Sequence, residues 1–140
     1  MNTEEYSIDK KHLVFVYGTL KRDYSNHYLM GKTSQFVEAG YTSSDFNMVN
    51  VGFPYTFRNG KYRVKGELWL VDGPAFLRLD HLEGHPDHFR RVKERIYCVN
   101  TGSMVESWMY QNPNHEEFFK LKKYTVNPNE SGDLIWTPNR

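Results

Sequence analysis

Two short stretches of this sequence hold residue types whose chemistry depends on what surrounds them. The first is Val16-Tyr17-Gly18-Thr19-Leu20-Lys21-Arg22, where an apolar run gives way at once to glycine and a hydroxyl residue. A glycine at a strand end lets successive backbone N–H groups turn toward one point, a cradle for an anion or a developing oxyanion. The same residues also fit an ordinary strand-ending turn. The second stretch is Leu79-Asp80-His81-Leu82-Glu83-Gly84. Glu83 falls in the last turn of a predicted helix, where the negative end of the macrodipole disfavours its charge. Three and four positions earlier stand Asp80, a like charge, and Leu79, so no neighbour relieves it. A carboxyl placed this way is pushed toward the pKa of a general base or acid working near neutrality. A solvated surface glutamate is the competing reading.

The remaining clusters carry less chemistry. His81, His85 and His88 are spaced like metal ligands, but Gly84 and Pro86 break the helix that would align them, and no metal is expected. The single cysteine, Cys98, lies in an apolar run and reads as a buried structural thiol; it also fits a reducing compartment. The basic run Arg90-Arg91-Val92-Lys93-Glu94-Arg95 is interrupted by Glu94 and reads as a solvated strand face. Eighteen Lys plus Arg against seventeen Asp plus Glu leave a net charge of +1, so no global field recruits nucleic acid or an anionic membrane. No stretch has the roughly 18 continuous apolar residues of a membrane span. The polar opening, of mixed charge, does not resemble a signal peptide, and the expected location is the cytoplasm. No nucleotide-binding or serine-hydrolase fingerprint occurs.

The elements that must position these groups are mostly strands. Residues 1–11 read as a flexible lead-in and 12–140 as a single domain, a size typical of one hydrophobic core. Aromatic residues make up 16% of the chain, which suits pleated, half-buried surfaces. Residues 13–17 form a continuous apolar strand, 24–32 a short helix or turn, and 36–41 and 46–51 two further strands. Asn59-Gly60 signals a hairpin. An alternating strand follows over 64–71. Asp72-Gly73-Pro74 starts a helix that Gly84 and Pro86 stop, with Ala75, Phe76, Leu79 and Leu82 as its buried stripe. Strands over 91–99 and 104–110 are joined by Asn100-Thr101-Gly102. The class is α+β, strand-dominated, with a curled sheet or small barrel.

Taken together, the two stretches resemble the γ-glutamylcyclotransferase-like superfamily, and within it the γ-glutamylamine cyclotransferase branch. The likeness runs from Phe15 to Arg22 and through Asn26-His27 and Leu29. It continues over Pro54, Gly66-Glu67-Leu68-Trp69, the Leu79 to Gly84 motif, Arg90-Arg91-Val92 and Trp108-Met109-Tyr110. The resemblance implies a small mixed β-barrel with a few short flanking helices. It implies that Tyr17, Gly18, Thr19 and Leu20 hold the glutamyl moiety and that Glu83 is the catalytic proton acceptor. Phe89 and Tyr110 are expected to line the pocket. Two departures stand out: many relatives carry Gly where this chain has Asp23, and Tyr where it has Phe89.

The implied reaction cleaves a γ-glutamyl amide by intramolecular cyclisation, releasing 5-oxoproline and a free amine, with no cofactor. The partner is then a small-molecule γ-glutamyl substrate, with no nucleic acid and no membrane. A non-catalytic relative that binds a small carboxylate or a protein through the same pocket is the alternative. The amine released and the oligomeric state are not legible in the sequence.

Overall fold

The computed structural model describes residues 3–138. Seven strands and two α-helices follow in the order β1 (Lys11–Val16), β2 (Gln35–Tyr41), β3 (Phe46–Asn50), β4 (Pro54–Asp72), α1 (Gly73–Glu83), β5 (Arg90–Cys98), β6 (Met104–Gln111), α2 (His115–Lys120) and β7 (Asp133–Leu134). Short 3₁₀ turns lie at Thr3–Tyr6, His27–Met30 and Lys122–Tyr124. The strands pair in the order β1-β6-β5-β2-β4-β3, and β4 pairs with β1 as well. That extra pairing closes β1, β6, β5, β2 and β4 into a ring, the small mixed barrel expected. β1 runs parallel to β6 and antiparallel to β4.

One strand organises this ring. β4 is 19 residues long and changes partner along its length. Its first part pairs with β3, and its last part lies between β2 and β1. The expected hairpin at Asn59-Gly60 is absent, and β4 runs through it. A hairpin turn of that kind needs positive φ at both central residues, and neither has it. Gly60 answers a different need: a Cβ there would stand 2.3 Å from the Phe46 carbonyl carbon and oxygen of β3.

β1 is apolar from Leu13 on, and its last three residues are buried because both faces are covered there. Val14 and Val16 join Phe76 and Leu79 of α1 in one core cluster, while Phe15 and Tyr17 join Leu68, Ile96 and Met109 in another. α1 begins and ends where expected. The Asp72 carboxylate accepts from the Ala75 N–H at 3.0 Å, and Gly84 closes the helix at φ 67. Its buried face is not the expected one. Ala75, Phe76 and Leu79 are buried, but Leu82 is 40% exposed and Asp80 takes the inward position. Cys98 is buried, with no disulfide partner.

Two residues of the lead-in have buried partners. Tyr6 donates to the Asp80 carboxylate at 2.7 Å and Glu5 pairs with Arg91 at 2.9 Å. Arg91 itself, and Glu94, leave the solvated face assigned to the basic run. Arg91 is buried on Asp80, and Glu94 is held by Arg58 and Gln111. Among the described residues, no helix is long and apolar enough to cross a membrane.

Candidate active site

The first group is delivered by the end of β1. Past Val16 the chain enters a turn closed by the Lys21 N–H donating to the Gly18 carbonyl at 3.0 Å. Asn26 pins the turn from outside. Its backbone N–H donates to the Thr19 carbonyl at 2.9 Å and its side-chain amide to Thr19 Oγ1 at 2.8 Å. His27 Nδ1 sits 2.8 Å from the Leu20 carbonyl. The carbonyls of the turn are therefore occupied. Among the described residues, no protein group accepts from the backbone N–H of Gly18, Thr19 or Leu20. Such a set of free donors matches an anionic or developing-oxyanion group.

Gly18 is required for a reason other than the one the sequence suggests. Its φ is not in the left-handed region. Instead a Cβ would stand 2.6 Å from Pro54 Cγ and 2.9 Å from Cδ, so the turn is glycine because β4 begins against it. Positive φ occurs a few residues on, at Asp23 (φ 73). That is the position where the resemblance implies Gly in many relatives, and left-handed backbone supplies the physical reason.

The Tyr17 side chain is structural as well as adjacent to the site. Its hydroxyl donates to the Tyr110 carbonyl and lies 2.8 Å from Thr56 Oγ1. Burial pushes its ionisation far above the ordinary phenol value, so the group stays neutral. It ties the ends of β1 and β6 together.

α1 delivers the second group in its final residue. Glu83 faces a cavity of about 300 Å³, and Tyr17, Gly18, Thr19, Leu20, Phe89 and Tyr110 line the same cavity. All seven expected site residues are thus brought together. Among the described residues, no donor forms a hydrogen bond to the Glu83 carboxyl. Although the residue keeps partial exposure through the cavity, desolvation by the surrounding protein raises its pKa to about 7. The cause is burial, not the like charge of Asp80 that the sequence suggested.

Asp80 has a separate task that the sequence reading missed. It accepts from Arg91 Nε at 2.9 Å, Tyr110 OH at 2.6 Å and Tyr6 OH at 2.7 Å. Burial opposes its charge, but these donors outweigh it and hold the carboxyl below the ordinary range. The cluster anchors α1 one turn before Glu83 and fixes the Tyr110 ring in the cavity wall. A signal was available: Phe76, Leu79, Asp80 and Glu83 fall at i, i+3, i+4 and i+7, one helical face. Reading that face as the inward one would have singled out both acids.

Phe89 belongs to the core and to the cavity at once. It is buried, its N–H donates to the Glu83 carbonyl at 3.0 Å, and its ring stacks on His88 with centroids 5.1 Å apart. The histidines do not converge. His88 Nε2 lies 2.7 Å from the Tyr55 hydroxyl, and His85 Nδ1 accepts from the Arg91 N–H at 3.3 Å. Among the described residues, no group of three or more His, Cys, Asp or Glu is placed to hold a metal ion. The site therefore offers a carboxyl that holds or releases a proton near neutral pH, beside backbone donors with nothing to donate to.

Comparison with known proteins identifies the family. Residues 14–134 match the family model described as "Gamma-glutamyl cyclotransferase, AIG2-like". A protein of Methanocaldococcus jannaschii named "Putative gamma-glutamylcyclotransferase" is 40% identical over 102 residues, covering 71% of this chain and 83% of that one. A gamma-glutamylaminecyclotransferase of Rattus norvegicus is 28% identical over 134 residues, covering 85% and 90%. Among solved structures, an AIG2-like protein of Mus musculus aligns with a TM-score of 0.71 at 26% identity, over 93% of this chain and 97% of that one. The chain belongs to the AIG2-like γ-glutamyl cyclotransferase family.

Proposed function

We propose that this protein cleaves a γ-glutamyl amide by turning the substrate's own α-amino group onto its γ-carbonyl, releasing 5-oxoproline and a free amine. The observation that carries the reading is the lone Glu83 carboxyl, with a pKa of about 7, sharing one cavity with the free N–H groups of residues 18–20.

The attack is intramolecular, so confining the substrate in a folded shape supplies much of the barrier reduction. Proton traffic remains. At pH 7 an α-amino group with a pKa near 8 is mostly protonated and cannot attack. Glu83 as carboxylate takes that proton. The amine nitrogen then bonds to the γ-carbon, and the carbonyl oxygen carries negative charge that the N–H groups of the turn are placed to receive. Collapse breaks the bond to the departing nitrogen, which takes the proton from Glu83. Over the cycle the α-nitrogen sheds two protons and the leaving amine ends as an ammonium having gained two. One carboxyl of intermediate pKa serves both directions. An ordinary carboxyl would hold too little acid at pH 7 to assist departure.

The test is direct. Purified protein is incubated with γ-glutamyl amides and 5-oxoproline is quantified. Formation of 5-oxoproline with an equimolar amine supports the reading. Hydrolysis to free glutamate, or no turnover of any γ-glutamyl compound, overturns it.

A further inference from the structure

We infer that the amine this pocket releases is uncharged apart from its reacting nitrogen and apolar, an alkyl- or arylalkylamine rather than an amino acid or a diamine; the inference rests on the cyclotransferase reading above. The first observation is the charge inventory of the cavity wall. Among the described residues, no lysine or arginine lines it, and Glu83 is its only carboxylate. A leaving group that carried its own carboxylate would meet no permanent cation there, since the one histidine of the wall, His88, is tied through Nε2 to the Tyr55 hydroxyl. One with a second ammonium would meet only Glu83, whose carboxylate the reaction already needs for the α-amino proton.

The second observation is the wall that remains. Phe53 and Leu82 line the cavity and are 37% and 40% exposed, apolar surface left open beside Glu83. Phe53 sets its edge on Tyr55 with centroids 5.2 Å apart, Tyr55 packs on Phe89 at 5.2 Å, and Phe89 stacks on His88. His88 in turn is tied to the Tyr55 hydroxyl. These rings brace one another, so an apolar chain laid on them costs little ordering of the protein. Leu82 and Phe53 line the same cavity as Glu83, so this surface shares the compartment of the carboxyl that handles the leaving nitrogen's proton. The Phe89 ring, which has no hydroxyl, adds a further apolar face to the same wall.

The test compares leaving groups on the unaltered protein. In the series γ-glutamyl-methylamide, -ethylamide, -propylamide and -butylamide, each methylene covered by the wall should raise kcat/KM by about fourfold at full burial. The butylamide should exceed the isosteric 3-aminopropylamide by at least about tenfold. Phe53→Ser should flatten the methylene series. Turnover with a flat series, or with the 3-aminopropylamide or a γ-glutamyl amino acid preferred, overturns this inference and leaves the cyclotransferase reading standing. No 5-oxoproline from any of these compounds overturns both.

Discussion

Replacing Glu83 by Gln should destroy activity and stabilise the protein in the same stroke, and the size of the second effect follows from the site. The Glu83 carboxyl has a pKa of about 7 in the folded protein against 4.5 for an unperturbed side chain. Between those values the native state keeps a proton that the unfolded chain has released, so stability falls as pH rises through that window and stays reduced above it. The gap of 2.5 units corresponds to about 3 kcal/mol at pH 8, and to less than about 1 kcal/mol at pH 5. Gln is nearly isosteric and neutral at every pH, so it escapes this cost. The variant should therefore be about 3 kcal/mol more stable than the parent at pH 8, on the order of 10 °C in Tm, and nearly equal to it at pH 5. Urea unfolding of both proteins across pH 5–8 measures the divergence. The parent's kcat/KM should rise with pH through about 7 as the base form appears, and the variant should lose at least about 100-fold. Parallel stability curves across this range would show that Glu83 is not desolvated, and the account of its proton chemistry would fall with them.

Gly18→Ala puts a methyl group 2.6 Å from Pro54 Cγ. It should cost about 1–3 kcal/mol of stability and weaken 5-oxoproline binding by calorimetry, since Pro54 lines the cavity too; unchanged affinity would mean that the turn does not contact ligand. Asp23→Gly relieves left-handed backbone at φ 73 and should raise stability by about 0.5–1 kcal/mol, read as a higher urea midpoint; a lower midpoint would show that the aspartate is preferred there. Asp80→Asn leaves Arg91 buried without its main counter-charge and should cost about 3 kcal/mol. Because Asp80's pKa is depressed in the folded state, the parent should itself lose this contribution only as pH falls below about 4, and a variant with parental stability at pH 7 would refute the anchoring role.

The local signals in the sequence proved dependable where the structure is locally determined. The Asp72 cap, the proline after it and the Gly84 stop mark α1 because capping is settled within a few residues. What could not be read was set by contacts distant in sequence. Asp80 is held by residues 6, 91 and 110, and without those partners it looks like a surface acid beside Glu83. Pro54 and Gly60 look like strand breakers, yet both lie in β4, because the first faces Gly18 and the second faces the backbone of β3. The pocket residues were legible as motifs; the desolvation that tunes Glu83 needs the walls of the cavity, which come from six separate stretches of chain.

The parallel contact between β1 and β6, Val14 with Trp108 and Phe15 with Met109, also dictates when the pocket can come into being. It joins residues 94 positions apart, a closure that slows folding because the connecting loop must be ordered before the contact rewards it. The bond from the Tyr17 hydroxyl to the Tyr110 carbonyl lies at this seam, between the turn that holds the free N–H groups and the far wall of the cavity. A chain emerging from the ribosome has made the turn and Glu83 well before it has made β6. On the proposed mechanism, the nascent protein therefore carries both of its working groups before the pocket that holds them is complete, and activity waits on the closing of the ring.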